Sequence, residues 1–305
     1  MLNSFHRISI PDRAGVISLA ASIAAALVGI LRRQSRYNLK LAVCLGKEFA
    51  KLTCVQQVTW GHYTTASREC LSTIAVQEEG FIVEKSATTV GIVGGTGDLG
   101  AGLARRLARA GFKVIIGSRN ESQAQAAGEA LKALGDSSGW GALNVSGASN
   151  PDAAAAADLI FVTVPFAAHA PTLESIKGSV QGKVVVDVTV PLVPPKVARV
   201  QLPEGGSAGQ LAQIALGENV RVVSALQNVA AAHLNSDDTI DCDVLVTGNN
   251  KEARQQVIDI LEVIEVRGFH AGMINNAAAA EALTSILINI NKQYKTHAGI
   301  RITGV

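Results

Sequence analysis

From residue 88 onward, short apolar runs rich in β-branched residues alternate with amphipathic stretches. The apolar runs predict buried β-strands. These strands span residues 89–93, 112–117, 158–164, 183–189, 220–226 and 243–247. The intervening pattern predicts helices at 99–110, 121–134, 152–157 and 251–264, with caps at Asn120 and Asn150-Pro151 and a stop at Gly135. Strands that alternate with helices indicate an α/β fold with a parallel sheet and right-handed crossovers.

The last long stretch, residues 276–291, predicts a nearly uncharged helix. A helix that is apolar on most faces must be buried, so it packs over its own sheet, against a second subunit, or both. The pattern thus divides the chain into an N-terminal extension (1–87), a nucleotide-binding domain (88–272) and a C-terminal helical segment (273–305).

The first strand runs into the motif Gly95-x-Gly97-x-x-Gly100, which opens a helix. Such a turn brings backbone amides at a helix N-terminus within hydrogen-bonding distance of a pyrophosphate, and a side chain at Gly95 or Gly97 would block that approach. The strand before it and the helix after it favour a dinucleotide-binding turn in a Rossmann-like, doubly wound sheet.

Three arginines, Arg105, Arg106 and Arg109, lie in the last turns of this helix, just before Gly111. Cations near a helix C-terminus interact favourably with its dipole, and glycine commonly follows the last turn. We therefore assign the three arginines to helix stability rather than to ligand binding.

The end of the second strand predicts which nucleotide is bound. An NAD site places Asp or Glu there, about 20 residues past the glycines, to accept a hydrogen bond from the ribose. This chain has Ser118-Arg119 instead. A guanidinium and a hydroxyl suit a phosphate, so NADP is favoured over NAD.

Ligands of open α/β sheets lie beyond the carboxyl ends of the strands. The loops at Gly95, Ser118, Pro165 and Pro191 are therefore expected to border one crevice. Asp187 and His169 are the titratable candidates beside it, and each is better explained as a strand end or a helix first turn than as a catalytic group.

Composition excludes several other functions. The net charge is only +2, and no basic stripe is interleaved with aromatics, so no nucleic-acid partner is expected. The four cysteines show no metal-ligand spacing, and the six histidines are scattered singly, so no metal site is predicted.

Residues 1–87 allow three interpretations. The uncharged run at 14–31 just reaches the lower length limit of a membrane span, but its Ala and Ser content makes it only weakly hydrophobic. A targeting presequence is the second interpretation, since the residues up to Lys47 include one acid, Asp12, against seven Lys or Arg. We favour the third interpretation, a poorly ordered extension such as an overlong start assignment would add, because residues 55–86 show no sustained helix or strand period. A membrane association is therefore not expected.

Several segments together resemble the NADPH-dependent reductases of the deazaflavin coenzyme F420, from Thr89 to the C-terminus. The resemblance rests on the turn Gly94-Gly-Thr-Gly-Asp-Leu-Gly100, on Gly117-Ser-Arg119 and on the Pro-Leu-Val-Pro run at 191–194. Further along it includes Ser224-Ala-Leu226, Asn276 with Glu281-Ala-Leu-Thr284, Leu287-Ile-Asn-Ile290 and the tail Gly299-Ile-Arg-Ile302.

The resemblance implies that the protein transfers a hydride between NADP(H) and coenzyme F420, without a catalytic side chain. We expect a cytoplasmic protein, and the apolar surface of the helix at 276–291 predicts a homodimer. The turn and the second strand's end would hold the pyrophosphate and the 2′-phosphate, and the later loops would face the two rings. The cofactor-binding residues that follow are Gly95, Thr96, Gly97, Asp98, Leu99, Ser118, Arg119, Val164, Pro165, Val193, Gln227, Val229, Ala231 and Ala298.

Two residues depart from the family's pattern. The chain has Gln227 where the best-known members have His after Ser-Ala-Leu, and Gln123 where they have Lys four residues past the Arg. Two other functions stay open. An NADP-dependent dehydrogenase of a small hydroxy acid or imine needs a proton donor such as Lys, which the last helix offers only at its end, as Lys292. A non-catalytic NADP-binding sensor needs none.

Overall fold

The computed structural model describes residues 88–305. Its strands are β1 (Thr89–Val93), β2 (Lys113–Ser118), β3 (Val145–Ser149), β4 (Leu159–Val162), β5 (Val184–Asp187), β6 (Arg221–Ser224), β7 (Asp243–Gly248) and β8 (Arg267–His270). Its α-helices are α1 (Asp98–Arg109), α2 (Glu121–Ser137), α3 (Asn150–Ala156), α4 (Phe166–Ile176), α5 (Ala208–Leu216), α6 (Ala231–Asn235), α7 (Lys251–Val263) and α8 (Ala277–Tyr294).

The strands form one sheet in the order β3-β2-β1-β4-β5-β6-β7-β8. Strands β1 to β6 are parallel to one another, which confirms the Rossmann-like α/β fold class. Strand β7 runs antiparallel to β6, which the prediction of a parallel sheet missed. The chain leaves β6 and enters β7 at the same edge of the sheet, so the connection through α6 does not cross the sheet.

Helices cover both faces of the sheet. One core contains side chains of α1, α2 and α7, such as Leu107, Leu131 and Leu261. The other contains side chains of α3, α4 and α5, such as Leu173 and Leu216. Because both faces of the parallel strands are covered, β1, β4 and β5 are buried along their whole length, and this is why they appear as continuous apolar runs.

The predicted elements are confirmed to within a few residues, and five other strands and α-helices were missed. Strand β3 (Val-Ser-Gly-Ala-Ser) lacks an apolar run, β8 is short, and α4 contains Pro171. The fourth, α5, follows a proline-rich loop, and the fifth, α6, has only five residues. Asn120 caps α2 as predicted, but Gly135 does not end it, because the helix continues to Ser137 and Gly135 packs closely on Leu143.

Helix α8 is less apolar on its inner face than its composition suggested. Its buried residues include Glu281 and Ser285, whereas Ile286 is 48% exposed. Among residues 88–305, no helix has both the length and the apolar character that a membrane span requires. The interpretations of residues 1–87 lie outside the described part of the chain.

Candidate active site

The three glycines of the turn between β1 and α1 have different environments. A Cβ at Gly95 would lie 2.8 Å from the carbonyl oxygen of Ile92, and one at Gly100 would lie 2.6 Å from the Cα of Gly95. A Cβ at Gly97 would meet only the Gly94 oxygen, at 3.7 Å. The fold itself therefore requires glycine at 95 and 100, whereas at 97 the absent side chain leaves open space in front of the turn.

The N-terminus of α1 has no side-chain cap. Its N-cap residue is Gly97, and the first turn begins with the exposed Asp98. The first amides of an α-helix have no partner within the helix, and the helix dipole adds positive potential there. The start of α1 is therefore suited to bind an anion that approaches over Gly97.

A cleft of about 500 Å³ lies in front of this turn, beyond the carboxyl ends of β1, β2 and β4. Six of the predicted cofactor-binding residues line it: Thr96, Gly97, Ser118, Arg119, Val164 and Pro165. The cleft is also lined by Gly94, Asn120, Gln123, Asn150, Thr163, Ala168 and Thr172. Of the four loops predicted to border one crevice, those at 95, 118 and 165 do so, whereas the loop at Pro191 contributes no residue to this cleft.

The β2 end of the cleft is polar. The Ser118 hydroxyl accepts a hydrogen bond from the Asn120 amide at 3.2 Å, so its own proton can point toward a ligand. Arg119 is exposed and forms no hydrogen bond or ion pair with the described residues, and Gln123 lies beside it on the same cleft. This end therefore offers one unpaired cation, a hydroxyl and a neutral amide.

Asn150 has a role that the sequence analysis missed. Ser149, not Asn150, caps α3, through its hydroxyl and the Asp152 amide. The buried Asn150 side chain instead accepts a hydrogen bond from the Gly94 amide at 3.1 Å, and Gly94 has a positive φ of 77°. Asn150 thus fixes the start of the turn from the neighbouring α3, and only its position just after a strand could have signalled this.

The opposite wall of the cleft rests on a buried hydrogen-bonded pair. His169 of α4 and Asp187 at the end of β5 are joined by a 2.9 Å bond between Nε2 and Oδ2, and both are almost fully buried. Their side chains therefore hold α4, which carries Ala168 and Thr172 into the cleft, against β5. Neither side chain lines the cleft, and their assignment as structural rather than catalytic stays a prediction.

Behind this wall lies a buried polar cluster of His169, Asp187, Ser224, Gln227 and Glu281. The Gln227 amide donates to the Asp187 carbonyl at 2.9 Å and to Ser224 Oγ at 2.8 Å. The Glu281 carboxylate accepts from the amides of Ala208 (2.7 Å) and Gly209 (3.0 Å) at the start of α5. Burial raises the pKa of Glu281 to about 7, although these two hydrogen bonds oppose the shift.

A second pocket, of about 240 Å³, lies between α6 and the C-terminal tail. Its walls include Asn228, His233, His297 and Ala298, the last of which was among the predicted site residues. The oxygens Oε1 of Gln227 and Oδ1 of Asn228 are buried without a hydrogen-bond partner among the described residues. Buried acceptors are rarely left unpaired, so a ligand that brings N–H or O–H donors would suit this region.

The tail is fixed to β7 by the buried Asp243. Its amide donates to the Ile300 carbonyl at 2.8 Å, and its carboxylate accepts from Arg267, Arg301 and the Ile302 amide. Burial would raise the pKa of Asp243, but these hydrogen bonds outweigh it and lower the pKa below its ordinary value. The pocket therefore has one wall made of residues 297–299.

Comparison with known proteins agrees with this geometry. Residues 89–191 match the family model described as NADP oxidoreductase, coenzyme F420-dependent. The F420-dependent NADP reductase of Methanothermobacter thermautotrophicus is 39% identical over 224 residues, which cover 71% of this chain and 95% of the relative. The chain belongs to the F420-dependent NADP reductase family. The enzyme of the same name from Methanocaldococcus jannaschii is also 39% identical, over 71% of this chain and 98% of its own.

A solved structure agrees at the level of the fold. A candidate F420 dependent NADP-reductase from Arthrobacter sp. FB24 superposes with a TM-score of 0.59 at 24% identity, and the match covers 71% of this chain and 100% of that one. The likeness supports the fold class.

The remaining predicted site residues of this reductase family member lie in different environments. Gly95 lies behind the turn, where its amide donates to the carbonyls of Ile92 and Gly117. Leu99 packs against the core and Val229 is buried in it. Ala231 begins α6, and Val193 is 45% exposed on the loop after β5.

Proposed function

We propose that this protein transfers a hydride reversibly between NADP(H) and the deazaflavin coenzyme F420. The observation that carries the proposal is the uncapped N-terminus of α1 beside the unpaired Arg119, in a chain that belongs to the F420-dependent NADP reductase family.

The nucleotide half of the proposal rests on the residues of the cleft. The amides at the start of α1 would hold the pyrophosphate of NADP, which the open space at Gly97 admits. Ser118 and Arg119 would hold the 2′-phosphate, for which a guanidinium is well suited. Residues Gly95, Thr96, Asp98 and Leu99 complete this proposed binding turn.

The later loops would position the two rings. Val164, Pro165 and Val193 are proposed to face the nicotinamide, and Gln227, Val229, Ala231 and Ala298 the deazaflavin. The unpaired Asn228 oxygen in the second pocket fits a ligand with ring N–H groups. The two cofactors supply the redox chemistry, so the protein needs to hold the reacting atoms about 3 to 3.5 Å apart and to exclude water. The buried His169–Asp187 pair leaves no titratable group of its own at the cleft surface.

The test is anaerobic mixing of the purified protein with NADP and reduced F420, while the absorbance of oxidised F420 and of NADPH is followed together. We expect the two products to appear in equal amounts. Tight NADPH binding without turnover would contradict the proposal and favour the dehydrogenase or the sensor.

We also propose that the protein is a cytoplasmic homodimer that associates through α8. The half-exposed Ile286 on α8 and the exposed Met273 just before it support this interface. Light scattering should give twice the mass of one chain, and a monomer at working concentration would refute the dimer. A cytoplasmic location would give the protein access to its two proposed small-molecule substrates, and cell fractionation would test it.

The proposed division into an extension (1–87), an NADP-binding domain (88–272) and a C-terminal helical segment (273–305) accompanies this function. Limited proteolysis should cut the chain before residue 88 without loss of NADPH binding.

A further inference from the structure

Arg106, near the C-terminal end of α1, is bonded to a distant segment of backbone. Its Nη2 donates to the carbonyls of His233 (2.8 Å), Ser236 (3.0 Å) and Asp238 (2.8 Å). Its Nε donates to the carbonyl of Leu234 at 3.2 Å. One guanidinium thus binds four carbonyls within residues 233–238, which corrects the assignment of Arg106 to helix stability alone.

These carbonyls belong to the end of α6 and to the turn after it. The last carbonyls of a helix have no partner within the helix, and a cation there interacts favourably with the helix dipole. The rigid fork of a guanidinium can serve several of them at once, which an ammonium group cannot do with the same geometry. Arg106 therefore fixes both the position and the direction of residues 233–238.

Two further contacts bring α6 close to α1. The Asn235 side chain donates to the Asp98 carbonyl at 2.8 Å. A Cβ at Gly102 would lie 2.7 Å from the Cβ of Leu234, so α6 packs against α1 where α1 has no side chain. The spacing between the two helices is thus set by direct contact.

Helix α1 therefore touches both proposed ligand regions. Its N-terminus borders the nucleotide cleft, whereas Arg106 holds the segment that contributes His233 and is followed by Thr239, both in the wall of the second pocket. The helix has 12 residues, which at 1.5 Å per residue span roughly 18 Å. It can serve as a rigid spacer between the two regions.

We propose that Arg106 is a positioning residue for hydride transfer, which sets the second pocket at a fixed distance from the nucleotide cleft. The proposal rests on the proposed function. It does not place Arg106 in contact with either cofactor.

The test compares Arg106→Lys with the control Arg221→Lys. Arg221 is exposed at the start of β6, and its guanidinium also donates to a backbone carbonyl, that of Gly182 at 2.8 Å, but it contacts neither pocket nor residues 233–238. For Arg106→Lys we expect the KM for F420 to rise and the single-turnover rate at saturating NADPH to fall, each by about tenfold, since a misplacement of 1 Å can cost about 100-fold. The Kd for NADPH should stay within about twofold of the wild-type value. Arg221→Lys should match the wild type in all three quantities.

A second variant, Gly102→Ala, changes the spacing while Arg106 is kept. The added methyl group would push Leu234 away, whereas Ala is preferred over Gly within a helix, so α1 itself is not weakened. We expect the same pattern of a raised KM for F420 with NADPH affinity retained. This variant decides the matter if Arg106→Lys does not fold.

Equal kinetics for Arg106→Lys and Arg221→Lys would overturn the inference and leave the proposed function intact. A loss of NADPH affinity as large as the rise in KM for F420 would also overturn it, because it would indicate general destabilisation. Wild-type protein that binds NADPH but never oxidises it with F420 would remove the proposed function, and the inference with it.

Discussion

The nucleotide cleft and the buried polar cluster behind it differ in whether their polar groups have partners within the protein. In the cleft, the first amides of α1 are uncapped and Arg119 has no ion-pair partner among residues 88–305. In the cluster, His169, Asp187 and Glu281 are buried and bonded to one another or to backbone amides. Polar groups left open indicate a place for a ligand, whereas polar groups already paired hold the elements of the fold together.

Glu281→Gln is the change that should affect the buried cluster most. Because the pKa of Glu281 is raised to about 7 from its ordinary 4.5, the folded state binds a proton that the unfolded state has lost between these pH values. The wild type should therefore lose about 3 kcal/mol of unfolding free energy from this group as the pH rises from 4.5 to 7. Denaturant unfolding at both pH values should show this loss in the wild type and not in the variant.

The exposed Glu218 provides the control, since Glu218→Gln should keep the wild-type pH dependence. If Glu281→Gln kept it as well, the carboxylate would not be the group that titrates, and the contrast between the two regions would be weakened.

Gly97→Ala tests whether the cleft is open for a ligand rather than for the fold. The methyl group would meet no protein atom closer than 3.7 Å, so stability should be nearly unchanged. It would occupy the approach to the first amides of α1, and we expect NADPH binding to weaken about 100-fold, or about 2.7 kcal/mol. Calorimetric titration measures this effect.

Gly95→Ala is the matched variant for which the opposite is expected. Its Cβ would collide with the Ile92 carbonyl, so the fold should be destabilised. Retained NADPH affinity in Gly97→Ala would mean that the pyrophosphate lies elsewhere.

Arg119→Ala probes the one charge that the proposal assigns to the 2′-phosphate. We expect NADPH binding to weaken by about 2 kcal/mol of binding free energy, as for the loss of a hydrogen bond to a charged group, while the Kd for NADH stays the same. Titration with both nucleotides supplies its own control. Equal affinity of variant and wild type for NADPH would remove the assignment of Arg119.

Gln123→Lys should produce the smallest effect and the opposite direction. Gln123 lines the cleft together with Arg119, so a lysine there would add a second cation near the proposed phosphate position. We expect the preference for NADPH over NADH to increase by about 1 kcal/mol, because the site is open to solvent. An unchanged ratio of the two Kd values would show that residue 123 lies out of reach of the phosphate.

The cleft was largely predictable because its residues lie at strand ends. The turn at 94–100 and Ser118-Arg119 each follow a buried apolar strand, and a parallel sheet brings such ends to one edge. The role of Asn150 was missed because the residue that donates to it, Gly94, is 56 residues away in the sequence. Local pattern is sufficient only where the chemistry lies next to the element that positions it.

The buried cluster and the second pocket were not predictable in the same way. The Glu281 carboxylate bonds to two amides of α5 that are 72 and 73 residues away in the sequence. The second pocket depends on the antiparallel strand β7, which contacts the 297–302 tail. The composition of α8 indicated an apolar buried helix, yet its single carboxylate faces inward. These contacts depend on tertiary packing, which has no periodic signal in the sequence.

The bonds between residues 300–302 and Asp243 bear on the order in which the protein can form its two pockets. A ribosome completes every strand of the sheet before it adds these residues, so the nucleotide cleft can form while the second pocket still lacks a wall. Until Arg301 and the Ile302 amide are present, Arg267 is the one side chain among residues 88–305 that bonds to the buried Asp243 carboxylate. Loss of the contacts from residues 300–302 should therefore make the protein less stable and more open to proteases.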